Sequence, residues 1–198
     1  IFEVLEEHGV SWKYYYMDNS VFLPQFAAWQ NPTISGKVRN LDEYFDILSR
    51  PTADQDLAEV VFIERGSVIG LDEHPGGPSI QKGAAQVQKI IDALMRSSAW
   101  QSSVFIFTFD ESGGIYDHVR PFSVVPPDDI APILRSGDFP GNFSLSGFRI
   151  PLVVISAWVK KNYVSHTPME LTSILKLIQT RFGLPPLTRR DGAAPDMT

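Results

Sequence analysis

Cysteine is absent from the 198 residues. That excludes disulfides and thiolate metal sites but leaves the redox compartment open, because cysteine-free domains serve on both sides of a membrane. No run approaches the roughly 18 apolar residues that a membrane-spanning helix needs, so no transmembrane segment is expected. The first residues also lack the basic start and small-residue cleavage site of a signal peptide, which says little if the start of the protein lies elsewhere. Histidine is scarce, at 4, and the 17 Lys and Arg are scattered among 23 Asp and Glu, for a formal net charge of −6. A nucleic-acid groove needs a clustered basic face, so no nucleic-acid partner is expected. Internal repeats and low-complexity tracts are missing as well.

What is present is a hydrophobic content of 43%, enough to build the buried core of one globular domain of this length. Ile1, Phe2, Val4 and Leu5, followed by Glu6, Glu7, His8 and Gly9, read as the last turns of an amphipathic helix closed by a glycine cap, with His8 favoured at the negative end of the helix dipole. Such an abrupt helical start sets the expectation that a larger N-terminal portion lies outside this chain. Ser11 to Met17 is aromatic-rich and suits a strand. Its Trp12, Tyr14, Tyr15 and Tyr16 are taken as core and strand surface rather than as a cage for quaternary ammonium. The stretch to Asn40 carries Pro24, Pro32 and Gly36 and reads as a long surface loop. Asn40 to Ser49 reads as a short helix with Asn40 as N-cap, Glu43 in the capping-box position, an apolar face of Leu41, Tyr44, Phe45 and Leu48, and a stop at Pro51.

Glu59 to Glu64 is the next strand, and a loop rich in Gly and Pro runs from it to about Pro78. Ser79 then caps a helix whose Ile80, Ala84, Val87, Ile91 and Leu94 recur at the helical period as far as Ser97 and Ser98. Ser103 to Phe109 is almost continuously apolar, the pattern of a parallel strand buried on both faces. A further strand spans Arg149 to Ser156. The last helix is read from Thr167 to Phe182, with Thr167 capping, Pro168 at its first position, Glu170 closing a capping box and Gly183 ending it. Strands alternating with helices argue for an α/β fold, a three-layer α/β/α sandwich with a mainly parallel central sheet.

In an open α/β sheet the ligand site lies beyond the carboxyl ends of the strands. The loop carrying Asp72, Glu73 and His74 and the pair Asp110–Glu111 both follow such ends, and a right-handed βαβ unit would bring them to one edge. Asp110 and Glu111 lead into Ser112, Gly113, Gly114, Ile115, Tyr116, Asp117 and His118. Adjacent carboxylates can hold a hard divalent cation or form a perturbed acid and base pair, and paired glycines let backbone amides approach an anion closely. A histidine such as His74 can bind a metal or protonate a leaving oxygen. Each motif has a plainer reading. Two carboxylates after a strand also suit a solvated turn, and Gly113–Gly114 can merely supply positive φ. His118 is read first as a hydrogen-bonding support of the Gly-Gly loop, and His166 as an anchor where the last helix begins.

At these residues the sequence resembles a bacterial and fungal phosphoesterase family that includes non-haemolytic phospholipases C and acid phosphatases. The resemblance rests on GVSWKYY at Gly9 to Tyr15, LDEHP at Leu71 to Pro75, FTFDESGGIYDHV at Phe107 to Val119, FRIPLVVIS at Phe148 to Ser156 and RFGLPPLTRRD at Arg181 to Asp191, and covers nearly the whole chain. It implies an alkaline-phosphatase-like fold, present here as the C-terminal part of a single catalytic domain over residues 1–198 and incomplete as a fold. It further implies metal-assisted or metal-sensitive attack on a phosphate ester by a Ser or Thr nucleophile. Carried over by position, His74 contacts the phosphate or metal and Asp110 and Glu111 are the acidic site residues. All three are therefore candidate catalytic residues and candidate ligands of a divalent metal ion. Asp72, Glu73, Gly113, Gly114, Asp117 and His118 support them.

The family also uses a Glu-Asn pair and the Ser or Thr nucleophile upstream of the GVSWKYY segment. Neither is in this chain, which implies that the missing N-terminal portion completes the site. Many members have His where Ser112 and Leu171 stand here. The resemblance implies a phospholipid or small phosphomonoester substrate and a secreted or periplasmic location. The competing readings are a sulfatase or phosphodiesterase on the same fold, and a non-catalytic module that binds an anion or a metal.

Overall fold

The computed structural model describes residues 1–77 and 79–198, so Pro78, taken above as the end of a loop, lies outside the described residues. The chain divides into two compact units, a sheet unit of Phe2–Phe107 with Leu152–Lys161, and a loop unit of Thr108–Pro151 and Asn162–Thr198 with Ile1.

In the sheet unit, α1 (Phe2–Glu7) leads through Gly9, at φ +68°, into β1 (Trp12–Tyr16). The stretch read as irregular holds two 3-10 turns, a short α2 (Pro32–Ser35) capped by the Asn31 side chain, and β2 (Val38–Asn40). Asn40 caps α3 (Leu41–Leu48), its side chain accepting the Asp42 amide at 2.9 Å. Glu43 closes no capping box, because its carboxylate pairs with Lys13 at 3.2 Å and Arg39 at 3.5 Å. A short α4 (Ala53–Asp56) precedes β3 (Val60–Glu64). The long α5 (Ile80–Arg96) follows, then β4 (Val104–Thr108) and, after the excursion through the loop unit, β5 (Leu152–Ser156).

The sheet β2–β1–β3 is parallel, with Tyr14 opposite both Val38 and Phe62, so β1 is central. Alternation along β1 sends its aromatic side chains to both faces. Phe2 of α1 packs on one face against Trp12 at 4.6 Å, Phe62 at 4.9 Å and Tyr14 at 5.9 Å between ring centroids. On the other face Tyr15, fully buried, meets Tyr44 of α3 at 5.7 Å, and both join Leu41, Leu48, Ile90 and Leu94 in one core cluster. Helices thus cover both faces of a parallel sheet, the expected three layers. The Tyr44 hydroxyl donates to the Ile90 carbonyl at 3.2 Å and ties α3 to α5.

Three expectations need correction. The buried stripe of α5 runs through Gly83, Gln86, Val87, Ile90 and Leu94, while Ile80 is exposed, because the sheet unit offers α5 a face rotated from the one the periodicity suggests. Ser79 stands at the N-cap, but its hydroxyl donates to the Gln81 side chain at 2.7 Å instead of accepting a helix amide. Strand β4 is not buried on both faces. Val104 is 55% exposed and the rest of β4 half-buried, since β4 is bonded only to β5 in a second, two-stranded sheet.

The loop unit ends in α6 (Leu171–Phe182) and α7 (Arg189–Ala193). Helix α6 starts later than Thr167. Glu170, at its N-cap, is held extended at φ −134° while its carboxylate grips Arg190 Nη2 at 2.6 Å and its amide donates to Ser173 Oγ at 3.3 Å. Gly183 ends the helix in the left-handed region, as the sequence predicts. Helix α7, unforeseen from the sequence, is organised by Asp191, which is 1% exposed and accepts the Leu187 and Thr188 amides at 2.7 Å, the Gln179 side chain at 2.6 Å and the Thr188 hydroxyl. Burial pushes its pKa up, but hydrogen bonds from Thr188, Gln179 and the two amides prevail and hold the carboxyl below its ordinary value.

Burial, reinforced by the charge of Glu43, pushes the Tyr15 phenol up to about 12. A phenol whose folded pKa exceeds its unfolded value contributes stability that is complete below the unfolded pKa, near 10, and is lost as pH rises towards the folded value. The Tyr15 hydroxyl finds no hydrogen-bond partner among the described residues. Tyr15→Phe is therefore expected to cost less than about 1 kcal/mol at pH 7, or to stabilise, and to reduce the loss of stability between about pH 10 and 12. Urea unfolding at several pH values checks both outcomes, and a loss above about 2 kcal/mol at pH 7 contradicts them.

Candidate functional site

Parallel pairing puts the carboxyl ends of β1, β2 and β3 on one edge of the sheet unit, where the loops after Tyr16 and Glu64 emerge. Glu64 closes β3 and fastens these loops together. Its carboxylate accepts the Tyr14 hydroxyl at 2.9 Å, the Val21 and Phe22 amides at 3.0 and 3.1 Å, and the Ser20 hydroxyl at 3.2 Å.

The loop after β3 carries Asp72, Glu73 and His74. Glu73 adopts φ +64°, a conformation that costs a non-glycine residue on the order of 1–2 kcal/mol and persists only where the surroundings impose it. They do so here. The Glu73 side chain, 6% exposed, receives Arg65 Nη1 at 3.0 Å, and the guanidinium lies 5.7 Å over the Phe107 ring. Gly83 of α5 leaves the space that Glu73 fills, for a Cβ there would collide with the carboxylate. The clamp leaves the next residue, His74, exposed. The His74 amide donates to Asp72 Oδ1 at 3.3 Å, and ring Nδ1 lies 3.0 Å from the Pro75 carbonyl. A carbonyl oxygen can only accept, so Nδ1 carries a proton in this contact. Asp72 therefore meets His74 at its backbone amide, and Glu73 meets Arg65.

In the loop unit, Asp110 and Glu111 follow β4 and are exposed, and neither carboxylate is hydrogen-bonded or ion-paired within the described residues. Gly113 and Gly114 turn the chain at φ +69° and +70°, successive left-handed positions that favour glycine. The turn is anchored downstream by Asp117, which receives Arg149 Nε at 2.7 Å, Arg149 Nη2 at 2.8 Å and the Val119 amide at 3.1 Å. The Arg149 fork and the Val119 amide hold the Asp117 carboxyl far below the usual carboxylate range. His118 does not support the glycines as expected. Its side chain is 83% exposed, with Nδ1 3.6 Å from Asp117, because Arg149 already occupies the carboxylate bidentately. His166 is likewise exposed, and α6 begins beyond it. His8 meets its expectation, with Nδ1 2.9 Å from the Val4 carbonyl.

The structure thus gathers Asp72, Glu73 and His74 in the sheet unit, and Asp110, Glu111, Gly113, Gly114, Asp117 and His118 in the loop unit. Among the described residues the expected βαβ pairing does not form, since β4 is bonded to β5 and not to the sheet of β3. Among the described residues no group of three or more His, Asp or Glu side chains converges as a metal site. A cleft of about 420 Å³ in the loop unit is lined by Phe122, Val124, Val125 and Pro195, with Glu170 and Arg190. None of the candidate residues lines it. Arg65, Arg149 and Glu64 are the positioning residues that sequence reasoning missed. Arg149 stood within the FRIPLVVIS segment, yet nothing in spacing linked it to Asp117.

The phosphoesterase family profile matches residues 1–185, a span that holds every candidate residue. The chain belongs to the phosphoesterase family. Among its relatives in that family, phospholipase C B of Mycobacterium tuberculosis is 33% identical over 99% of this chain and 42% of its own length. Non-specific phospholipase C4 of Arabidopsis thaliana is 31% identical over 98% of the chain and 38% of its own length. Non-hemolytic phospholipase C of Burkholderia pseudomallei is 27% identical over 99% and 33% respectively. This phosphoesterase chain therefore spans between 33% and 42% of the length of these curated relatives.

Two outcomes follow from the clamps. Gly83→Ala is expected to cost about 1–3 kcal/mol by driving Glu73 off Arg65, and Glu73→Ala added to it recovers part of that loss; urea unfolding of the single and double variants measures both. Because the Asp117 pKa is depressed, the pair contributes above the unfolded carboxylate pKa and its contribution disappears as pH falls through the folded value. In a carboxyl-carbon NMR titration Asp117 is expected to stay ionised well below pH 3.8, the ordinary value, and to return towards it in Arg149→Gln.

Proposed function

We propose that this chain contributes His74, Asp110 and Glu111 to the active site of a phosphoric ester hydrolase acting on a phospholipid or a small phosphomonoester. The Ser or Thr nucleophile is supplied by sequence outside the chain, the N-terminal portion of the same domain, and the protein works outside the cytoplasm, as a secreted or periplasmic enzyme. The observation that carries the reading is the phosphoesterase match over residues 1–185, in which relatives named phospholipase C align across almost the whole chain.

The donor chemistry of Asp110 and Glu111 fits a divalent cation, since carboxylates without partners among the described residues are groups such ions take. A bound cation would offset the negative charge of the ester. Asp110 and Glu111 would hold that charge balance, and their own repulsion towards the phosphate makes the cation a requirement of this reading. His74, with Nδ1–H committed to the Pro75 carbonyl, offers Nε2 as proton acceptor in one protonation state and as donor to a phosphate or leaving oxygen in the other. Gly113 and Gly114 keep the segment after the carboxylates free of side chains, so that the ester can come close to the backbone.

The test compares this chain with the product of its complete reading frame on p-nitrophenyl phosphate and p-nitrophenylphosphorylcholine, with divalent metal and with chelator. Turnover is expected from the complete product alone. Asp110→Ala and His74→Ala should each lower kcat/KM by on the order of 100-fold or more without moving the unfolding midpoint. Turnover by the chain alone refutes the external nucleophile, and metal binding without turnover by either protein establishes a binding module instead.

A further inference from the structure

The loop unit carries an apolar surface that neither the core nor the candidate site uses. Antiparallel pairing of Ser123 with Leu145 closes the neck of a long loop, where the Val124 amide donates to the Ser144 carbonyl and the Ser146 amide to the Phe122 carbonyl, both at 2.9 Å. Between these points the chain from Val125 to Phe143 forms no helix or strand, yet it is held. The Pro127 carbonyl accepts the Arg189 amide at 3.0 Å, and Asp129 pairs with the Arg189 guanidinium at 2.8 Å, which fastens one arm of the loop to α7. On the other arm the Asn142 side chain accepts the Ser144 amide at 3.1 Å and the Ser144 hydroxyl at 2.6 Å, with Phe143 at φ +55° between them.

The tip is a turn of Arg135, Ser136, Gly137 and Asp138. The Asp138 amide donates to the Arg135 carbonyl at 3.1 Å, the Asp138 carboxylate accepts the Arg135 amide at 2.7 Å, and Gly137 takes φ +94° at the third position, where such a turn favours glycine. Ile133 and Phe139 flank the turn and are 98% and 92% exposed, and Ile130 and Leu134 are exposed as well. Single apolar residues are ordinary on a surface, but four large ones along one stretch of a pinned loop call for a partner. Pro126, Pro127, Pro132 and Pro140 stiffen the arms and supply no N–H, which lowers both the entropy lost on docking and the number of backbone donors taken out of water.

The chemistry of the tip selects that partner. Its ionic groups, Arg135 and Asp138, are opposite in sign, and the stretch from Val125 to Phe143 has no Lys, so the basic cluster that draws a protein to an anionic membrane is missing. A protein partner is met through a broad face of complementary shape, whereas this loop presents apolar side chains on a four-residue turn whose Arg135 and Asp138 amides are bonded within it. An uncharged lipid surface takes up apolar side chains without shape complementarity, and its polar layer can solvate the charged groups beside them.

We propose that the loop from Val125 to Phe143 is an interfacial anchor that inserts Ile133, Leu134 and Phe139 into an uncharged lipid surface. Such an anchor would bring a phosphoester hydrolase to lipid, but it stands on the loop alone and not on that reading. Because the chain has no cysteine, Ser136→Cys offers a single site at the tip for a polarity-sensitive nitrobenzoxadiazole label. This chain and the product of the complete reading frame, labelled at that site, are titrated with vesicles of digalactosyldiacylglycerol, a lipid without a phosphate ester, and with vesicles of phosphatidylglycerol. A blue shift that high salt does not reverse is expected from both proteins on the galactolipid vesicles. Ile133→Ser combined with Phe139→Ser should weaken co-sedimentation of the unlabelled proteins about 10-fold or more, whereas Met95→Gln, at an exposed apolar position of α5, should leave it unchanged. Circular dichroism confirms that the variants fold.

A blue shift without hydrolysis leaves the anchor standing while the phosphoester reading falls, and hydrolysis without a blue shift does the opposite. The inference is also overturned if the label on the complete product is blue-shifted before lipid is added, which assigns the tip to a contact with the rest of the protein. Binding to phosphatidylglycerol alone, released by salt, or undiminished binding by the double variant overturns it as well.

Discussion

The Glu64 carboxylate is the constraint on which the chemistry-bearing edge of the sheet unit depends. A parallel sheet delivers its strands' carboxyl ends to one side but leaves the emerging loops without backbone partners. Glu64 supplies what pairing cannot, taking the phenol of Tyr14 from the adjacent strand and two amides and a hydroxyl from the loop after β1. A half-buried carboxylate with four donors is held by charge-assisted hydrogen bonds, the strong kind. The phenol of Tyr14 is correspondingly kept neutral, burial being the larger cause and the Glu64 charge the next. Removing the carboxylate would strand those donors and loosen the loop after β1, so the loop's shape and the strand's burial are one problem with one solution.

The same logic recurs at each candidate segment: a buried or bidentate ion pair immobilises the backbone beside an exposed functional side chain. Glu73 with Arg65 does this for His74, and Asp117 with Arg149 does it downstream of Asp110 and Glu111. In both cases the charged pair is the support and the exposed residue the candidate it presents. This division is physically sensible, because an exposed side chain loses more entropy on being ordered than its own solvated contacts return. The backbone on which it stands must be fixed by something else. The left-handed Glu73 shows how firmly, for a residue without a glycine's freedom is held there by a close fit to Gly83 and an ion pair.

Much of the fold could be read from the sequence because it rests on local signals. Strands β1 and β3, helices α3 and α5, the Gly9 and Gly183 caps and the α/β alternation follow from periodicity, capping chemistry and the freedom of glycine. What escaped depends on partners remote in sequence. Strand β2 is three residues long and exists because β1 offers it a register. Helix α7 exists because a buried Asp191 gathers donors from Gln179, Leu187 and Thr188. The apolar run of β4 says how a strand looks when covered on both sides, yet its burial here is set by its single partner strand. For the same reason the candidate residues were legible as types, and their supports were not. A carboxylate after a strand announces itself, whereas an arginine 32 positions away that fixes it does not.

The electrostatics of the two groups also constrain what chemistry they can perform. Asp110 and Glu111 are adjacent anions without a counter-charge of their own in the described structure, while the neighbouring Asp117 has spent its charge on Arg149. Two adjacent unpaired carboxylates repel one another and any anion, so like charge accumulates at this segment without being balanced there. At the edge of the sheet unit the balance is different. There the Glu64 carboxylate accepts four donors and Glu73 pairs with Arg65, so the negative charge of these two residues is satisfied within the unit. The two segments therefore differ in kind: one commits its carboxylates to fixing loops, and the other leaves Asp110 and Glu111 uncommitted among the described residues.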